Sequence, residues 1–110
     1  MQETKTVIEL KQIEDTLKQQ FKPVISLTVE LDDDGTTATI FLKKPDRHTY
    51  SMVSRLVSTD SVKAIESALK NMYIGGDKLD LVIHNDDALM SCESAIVEIM
   101  QKKQAIIKKN

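Results

Sequence analysis

Residues 71–87, NMYIGGDKLDLVIHNDD, set a glycine pair among four carboxylates, Asp77, Asp80, Asp86 and Asp87. Two chemistries come to mind: a phosphate cradle built on Gly75 and Gly76, and a hard cation held by the aspartates. A Walker loop needs Gly-Lys-Ser/Thr at fixed spacing, and a dinucleotide fingerprint needs a strand before the glycines and a helix directly after them. Neither pattern is present. The pair instead suits a helix end, where a glycine supplies the left-handed residue. Calcium takes six to eight oxygens from a closely spaced loop; these aspartates lack that spacing. Asp86 and Asp87 already have work in the first turn of a helix, where the dipole favours negative charge.

A second acidic cluster, ELDDDG, puts Glu30, Asp32 and Asp34 ahead of Gly35 in the manner of an EF-hand loop, yet the twelfth position is Phe41 rather than a bidentate Glu. The flanks alternate like strands, so the cluster is expected to be a solvated hairpin turn. Cys92 is the single cysteine, with His84 and His48 as conceivable bases. It falls on the apolar seam of the last expected helix, where a free cysteine packs as a small hydrophobe. The serines of MVSRLVSTDS suit capping and turns. No acid, base and nucleophile converge by spacing, so no catalytic residue, metal ligand or cofactor is expected, and the chain reads as a non-enzyme.

These residues must be held by elements that the sequence outlines. TVIE at residues 6–9 is a capping box, and Val7, Leu10, Ile13, Leu17 and Phe21 follow at helical spacing before Pro23. VISLTVEL alternates, with Ile25, Leu27, Val29 and Leu31 on one side. TTATIFLK alternates too, with Ala38, Ile40 and Leu42 sharing a face. The two runs around DDDG predict a β-hairpin with one buried and one wet face. Asp46 is expected to cap a helix with a Tyr50, Val53, Leu56, Val57 stripe. Thr59 or Asp60 caps another, with Val62, Ile65, Leu69 and Met72 inward. LDLVI is either a short third strand or an irregular link. Asn85 caps a last helix whose inner face carries Leu89, Cys92, Ile96, Ile99 and Ile106, with Lys102, Lys103, Lys108 and Lys109 at its end.

The expected architecture is α+β: a β-hairpin, possibly with a third short strand, packed against three to four helices. The 110 residues suit a single domain, comprising an N-terminal helix over 1–22, the hairpin over 24–43 and a helical part over 46–110. With 41% apolar residues, one modest core is expected, with little left to line a deep cleft. A net charge of −2 argues against nucleic acid. The four aromatics Phe21, Phe41, Tyr50 and Tyr73 are scattered, which argues against a base-stacking platform. A charged start, no long apolar run and one cysteine point to the cytoplasm, with no membrane partner. Met52, Met72, Met90 and Met100 fall in the helical half, where methionine fills gaps or suits adaptable surfaces.

The run FLKKPDR, then DSVKAIESALKNMYIGGDKL, then NDDALMSCESAIVEIMQKKQAIIKK resembles the small tail assembly chaperones of long-tailed bacteriophages and prophages, over about residues 38–110. Lys44-Pro45, Tyr73-Ile74-Gly75-Gly76-Asp77 and Asp86-Asp87 carry the likeness. The resemblance implies a non-enzymatic protein-binding factor that keeps apolar helical segments of the tape measure protein soluble until the tail polymerises, in the host cytoplasm. Tyr50, Val53, Met72, Tyr73, Ile74, Met90 and Met100 are the expected protein-binding residues, through apolar contact. The alternative is a small structural, virion or adaptor protein that self-associates, as a homo-oligomer, or binds other phage proteins.

Overall fold

In the computed structural model, which describes residues 4–101, Thr6 opens helix α1 (Val7–Lys18) with both halves of the capping box in place. The Glu9 N–H donates to Thr6 Oγ1 at 3.2 Å, and the Thr6 N–H to Glu9 Oε1 at 3.4 Å. Strands β1 (Val24–Glu30) and β2 (Thr37–Lys43) form the expected antiparallel hairpin, with Val29 opposite Ala38, Leu27 opposite Ile40 and Ile25 opposite Leu42. Asp32 holds the turn: its Oδ1 accepts from the N–H groups of Asp34 (2.9 Å) and Thr36 (3.1 Å). Gly35 takes the left-handed conformation there, φ +87°.

A third strand is present, but not in LDLVI. β3 (Tyr73–Gly76) pairs antiparallel with β2 on the side away from β1, giving the order β1-β2-β3. LDLVI instead forms the single turn α4 (Asp80–Ile83), with Val82 and Ile83 both buried. An extended strand would send those two neighbours to opposite faces; a helical turn brings both inward.

On the core side of the sheet α3 (Ser61–Met72) packs against β2 and α5 (Asp86–Ser91) against β1, with α2 (Arg47–Leu56) and α6 (Glu93–Met100) against α3. Asp46 caps α2, its Oδ1 accepting from both the N–H and the Oγ1 of Thr49 at 2.8 Å. Asp60 caps α3 through the Lys63 N–H, and Asn85 caps α5 through the Ala88 N–H. Ala38, Ile40, Leu42, Ala68, Leu69, Met72 and Val82 are inaccessible at the centre of the apolar cluster.

The last helix is not continuous. In an unbroken helix the Cys92 N–H would reach the Ala88 carbonyl; here it bonds Leu89 instead, at 3.1 Å. The Ala88 oxygen is taken by Ser91 Oγ (2.7 Å) and Cys92 Sγ (3.3 Å), side-chain competition of the kind that breaks helical ladders. Ile106 and the C-terminal lysines lie outside the described residues. Two stripe positions also differ from expectation: Val57 and Val62 are exposed, not inward. Val57 is the C-cap of α2, past the last full turn that faces the core, and Val62 sits in the first turn of α3.

The hairpin's second face is not wholly wet. α1 lies across it, against β3 and β1, and Phe41, which breaks the polar alternation of that face, is buried there. The sheet is thus covered by one helix on one side and by the helical cluster on the other.

Candidate functional site

The glycine pair and the nearest aspartate turn out to be one structural device. Helix α3 ends at Met72, and Tyr73 is already extended, so the glycines are strand residues rather than a helix cap. Each permits a close approach. A Cβ on Gly75 would lie 3.1 Å from Leu17 Cδ1 and 3.3 Å from Ile13 Cγ2, so this glycine lets α1 settle on β3. Gly76 has φ +100°, and a Cβ there would stand 2.5 Å from the Thr39 carbonyl oxygen. The backbone that follows is tied to the same residue, the Asp77 N–H donating to Thr39 O at 2.8 Å.

Asp77 is buried and its carboxylate is used on both oxygens. Oδ1 accepts from the Lys5 N–H at 2.5 Å, just ahead of α1, and Oδ2 accepts from the Thr39 N–H at 2.8 Å, in β2. The Tyr73 hydroxyl closes the loop, donating to the Asp77 carbonyl at 2.8 Å. Burial, then the charges of Asp77 and Asp80, push the Tyr73 phenol above its ordinary range. Asp77 therefore fastens α1 to the sheet. Sequence reasoning weighed Asp77 as a cation ligand and not as a fastener, because nothing local to residue 77 marks Lys5 and Thr39 as its partners.

Most of the other polar candidates have local structural roles. Asp32 and Asp46 are held below the usual carboxylate range chiefly by backbone N–H donation, from Thr36 and Thr49 respectively. Asp86 and Asp87 occupy the first turn of α5, as expected. Cys92 is buried, and burial pushes its thiol up, away from the nucleophilic thiolate. His84 is within 3.8 Å of Asp80, an exposed i,i+4 neighbour. Among the described residues no three His, Cys, Asp or Glu side chains gather as a metal would need.

One hollow is lined mainly by apolar side chains. α2, α3 and α6 enclose a groove of about 220 Å³. Val53, Ala64, Ile65 and Ile96 make its floor, and Val57, Val97 and Met100 its walls. Glu93 is the ionisable residue among its described lining. Val97 is 60% exposed and Val57 54%, so the groove opens through aliphatic side chains that the fold leaves in water.

The seven residues expected to bind protein do not form one surface. Val53 and Met100 belong to the groove. Tyr50 lines a separate hollow with Pro23, Ile25, Lys44, Pro45 and Ile99. Tyr73 and Ile74 are half-buried in β3, with Tyr73 engaged on Asp77. Met90 is exposed on α5, away from the groove lining. Met72 is corrected from contact residue to core: it is 0% exposed, held beneath the sheet by its position in the last turn of α3. Val57 and Val97 are the exposed aliphatic groove residues that sequence reasoning missed. Helical spacing put Val57 on an inner stripe, and Val97 follows Ile96 with no signal distinguishing an open flank from a covered one.

No helix among the described residues is long and apolar enough to cross a membrane. Compared with protein-family profiles, curated proteins and solved structures, the chain matches none.

Proposed function

We propose that this protein is a non-enzymatic binding factor whose groove between α2, α3 and α6 takes an apolar helical segment of another protein. The observation that carries the reading is the exposure of Val57 and Val97 beside a buried aliphatic floor. A helix presenting an apolar stripe covers such a surface in the helix-in-groove mode, with i, i+3 and i+4 side chains as anchors. The flexible thioether of Met100 lets the wall adjust to different stripes.

The resemblance to tail assembly chaperones names the partner: the long apolar-striped helices of a phage tape measure protein. Holding these in the cytoplasm until polymerisation needs contact and release, and no cofactor. Coexpression with the tape measure protein of the same phage genome tests this. The tape measure protein should stay soluble and copurify, and Val97→Asp should weaken the complex at least about tenfold by setting a charge against an apolar stripe. Circular dichroism of the variant checks that the fold is kept. A tape measure protein that stays insoluble, or a complex indifferent to both Val97→Asp and Val57→Asp, overturns the reading.

A further inference from the structure

A strand edge is a second surface, independent of the groove. Among the described residues β1 and the shorter β3 are the outer strands of the sheet, β1 pairs with β2 alone, and its hydrogen-bonding parity is fixed. The Leu31 N–H donates to Thr36 O at 2.8 Å, and the register continues with Val29 opposite Ala38. In an antiparallel ladder, alternate residues exchange both bonds with the partner strand. Ile25, Leu27 and Val29 therefore face β2, while the N–H and C=O groups of Val24, Ser26, Thr28 and Glu30 point outward. Thr39, opposite Thr28, confirms the parity by turning its own N–H and C=O toward Asp77, away from β1.

Exposed edges are usually blunted by lysine, proline, bulges or inward charge. Lys22 and Pro23 precede β1 and Glu30 ends it, but from Val24 to Val29 the strand carries none of these, and the irregularity in the described sheet lies between β2 and β3. Its apolar face is also unfinished. Ile25 and Leu27 are only half-buried, whereas Leu42 and Ile40 opposite them are inaccessible.

We propose that a second copy of this chain completes the edge, its β1 running antiparallel to the first about a two-fold axis at Leu27. In this register Val24 pairs with Glu30 and Ser26 with Thr28, so each outward N–H and C=O of both strands finds a partner. On the core face Leu27 meets its own counterpart and Ile25 meets Val29, which continues the apolar layer across the axis. Lys22, just before the strand, comes to the end where the other copy carries Asp32, so opposite charges meet at both ends. A slide of two residues either way leaves an outward residue of each strand unpaired. The strand is thus complementary to itself in hydrogen bonding, apolarity and charge together, which favours a second copy over an unrelated extended peptide.

Sedimentation of the full chain over a concentration series tests this. A monomer–dimer equilibrium is expected. Ser26→Pro removes an outward N–H without touching the bonds to β2, and should weaken the dimer at least about tenfold, while Ser26→Ala should not. Lys22→Glu, outside the strand, should weaken it in a salt-dependent way, and stands in if the proline variant does not fold. Leu27→Cys sits on the axis, at a non-hydrogen-bonded pair close enough to cross-link on mild oxidation; Ser26→Cys, which faces Thr28, should not. Val97→Asp should leave the dimer intact, separating this edge from the groove. A monomer at all concentrations, a monomer whose edge takes only foreign peptides, or a dimer that ignores these changes and fails to link at residue 27, overturns the proposal.

Discussion

Replacing Asp77 is expected to loosen the whole N-terminal side of the molecule. In Asp77→Ala both acceptors vanish, and the N–H groups of Thr39 and Lys5 lose their partners. A hydrogen bond to a charged group contributes about 1.5–3 kcal/mol. Lys5 is exposed, so water replaces much of its share, while the Thr39 N–H lies against β3 and is not so easily rescued. The two together come to about 3 kcal/mol, a large part of the roughly 5–15 kcal/mol that holds a domain folded. Asp77→Asn keeps one acceptor but turns an NH2 donor toward an N–H, and should cost about half as much. Urea unfolding followed by circular dichroism measures the difference. For a domain of this size about 3 kcal/mol lowers the melting temperature by roughly 12–24 °C. Hydrogen exchange adds a local readout, with faster exchange at Thr39 and through α1 but little change in α3. A loss below about 0.5 kcal/mol, the range of an ordinary surface change, would refute the argument that Asp77 fastens α1 to the sheet.

The two left-handed glycines should respond differently. Gly35→Ala meets open space and bears only the conformational cost of about 1–2 kcal/mol, whereas Gly76→Ala also drives a methyl into the Thr39 carbonyl and should cost clearly more in the same urea assay. Acid titration of the folded protein should reveal Asp32 and Asp46. Their carboxyls titrate lower folded than unfolded, so their stabilisation is full above the unfolded value near pH 4 and disappears as pH falls through the folded values. Asp32→Asn and Asp46→Asn should each flatten that acid limb, and a limb of unchanged slope counts against the turn and cap roles. Cys92 should react with a thiol reagent only as fast as the protein opens, since it is buried and its thiol titrates high. Labelling at the rate of a free thiol contradicts its placement.

Local chemistry was legible in the sequence and distant chemistry was not. The Thr6–Glu9 box, the Asp46 and Asn85 caps and the DDDG turn each depend on residues within four positions, and each stands as read. Asp77 depends on Lys5 and Thr39, 72 and 38 positions away, and no local pattern encodes that. The glycine pair misled for a related reason. A helix before two glycines has the signature of a C-cap, and only the approach of β2 and α1 shows that the missing Cβ atoms make room for neighbours.

The same distinction explains where the apolar surplus went. Spacing states which residues share a face of one helix, but burial depends on whether another element arrives to cover that face. Val53 and Val57 lie one helical turn apart on α2; Val53 is covered and Val57 is not, because the chain turns away toward α3. Ile96 and Val97 are neighbours on α6, yet one is floor and the other wall. On the sheet, Leu42 is sealed between two strands while Ile25 opposite it stands at the edge. The groove and the outer edge of β1 are both places where an apolar pattern outruns the elements that bury it among the described residues. In a chain with only 41% apolar residues, leaving such positions uncovered gives up stability that the fold could have used. That cost is recovered when another surface covers them, which is the physical ground for the binding proposed at the groove and at β1.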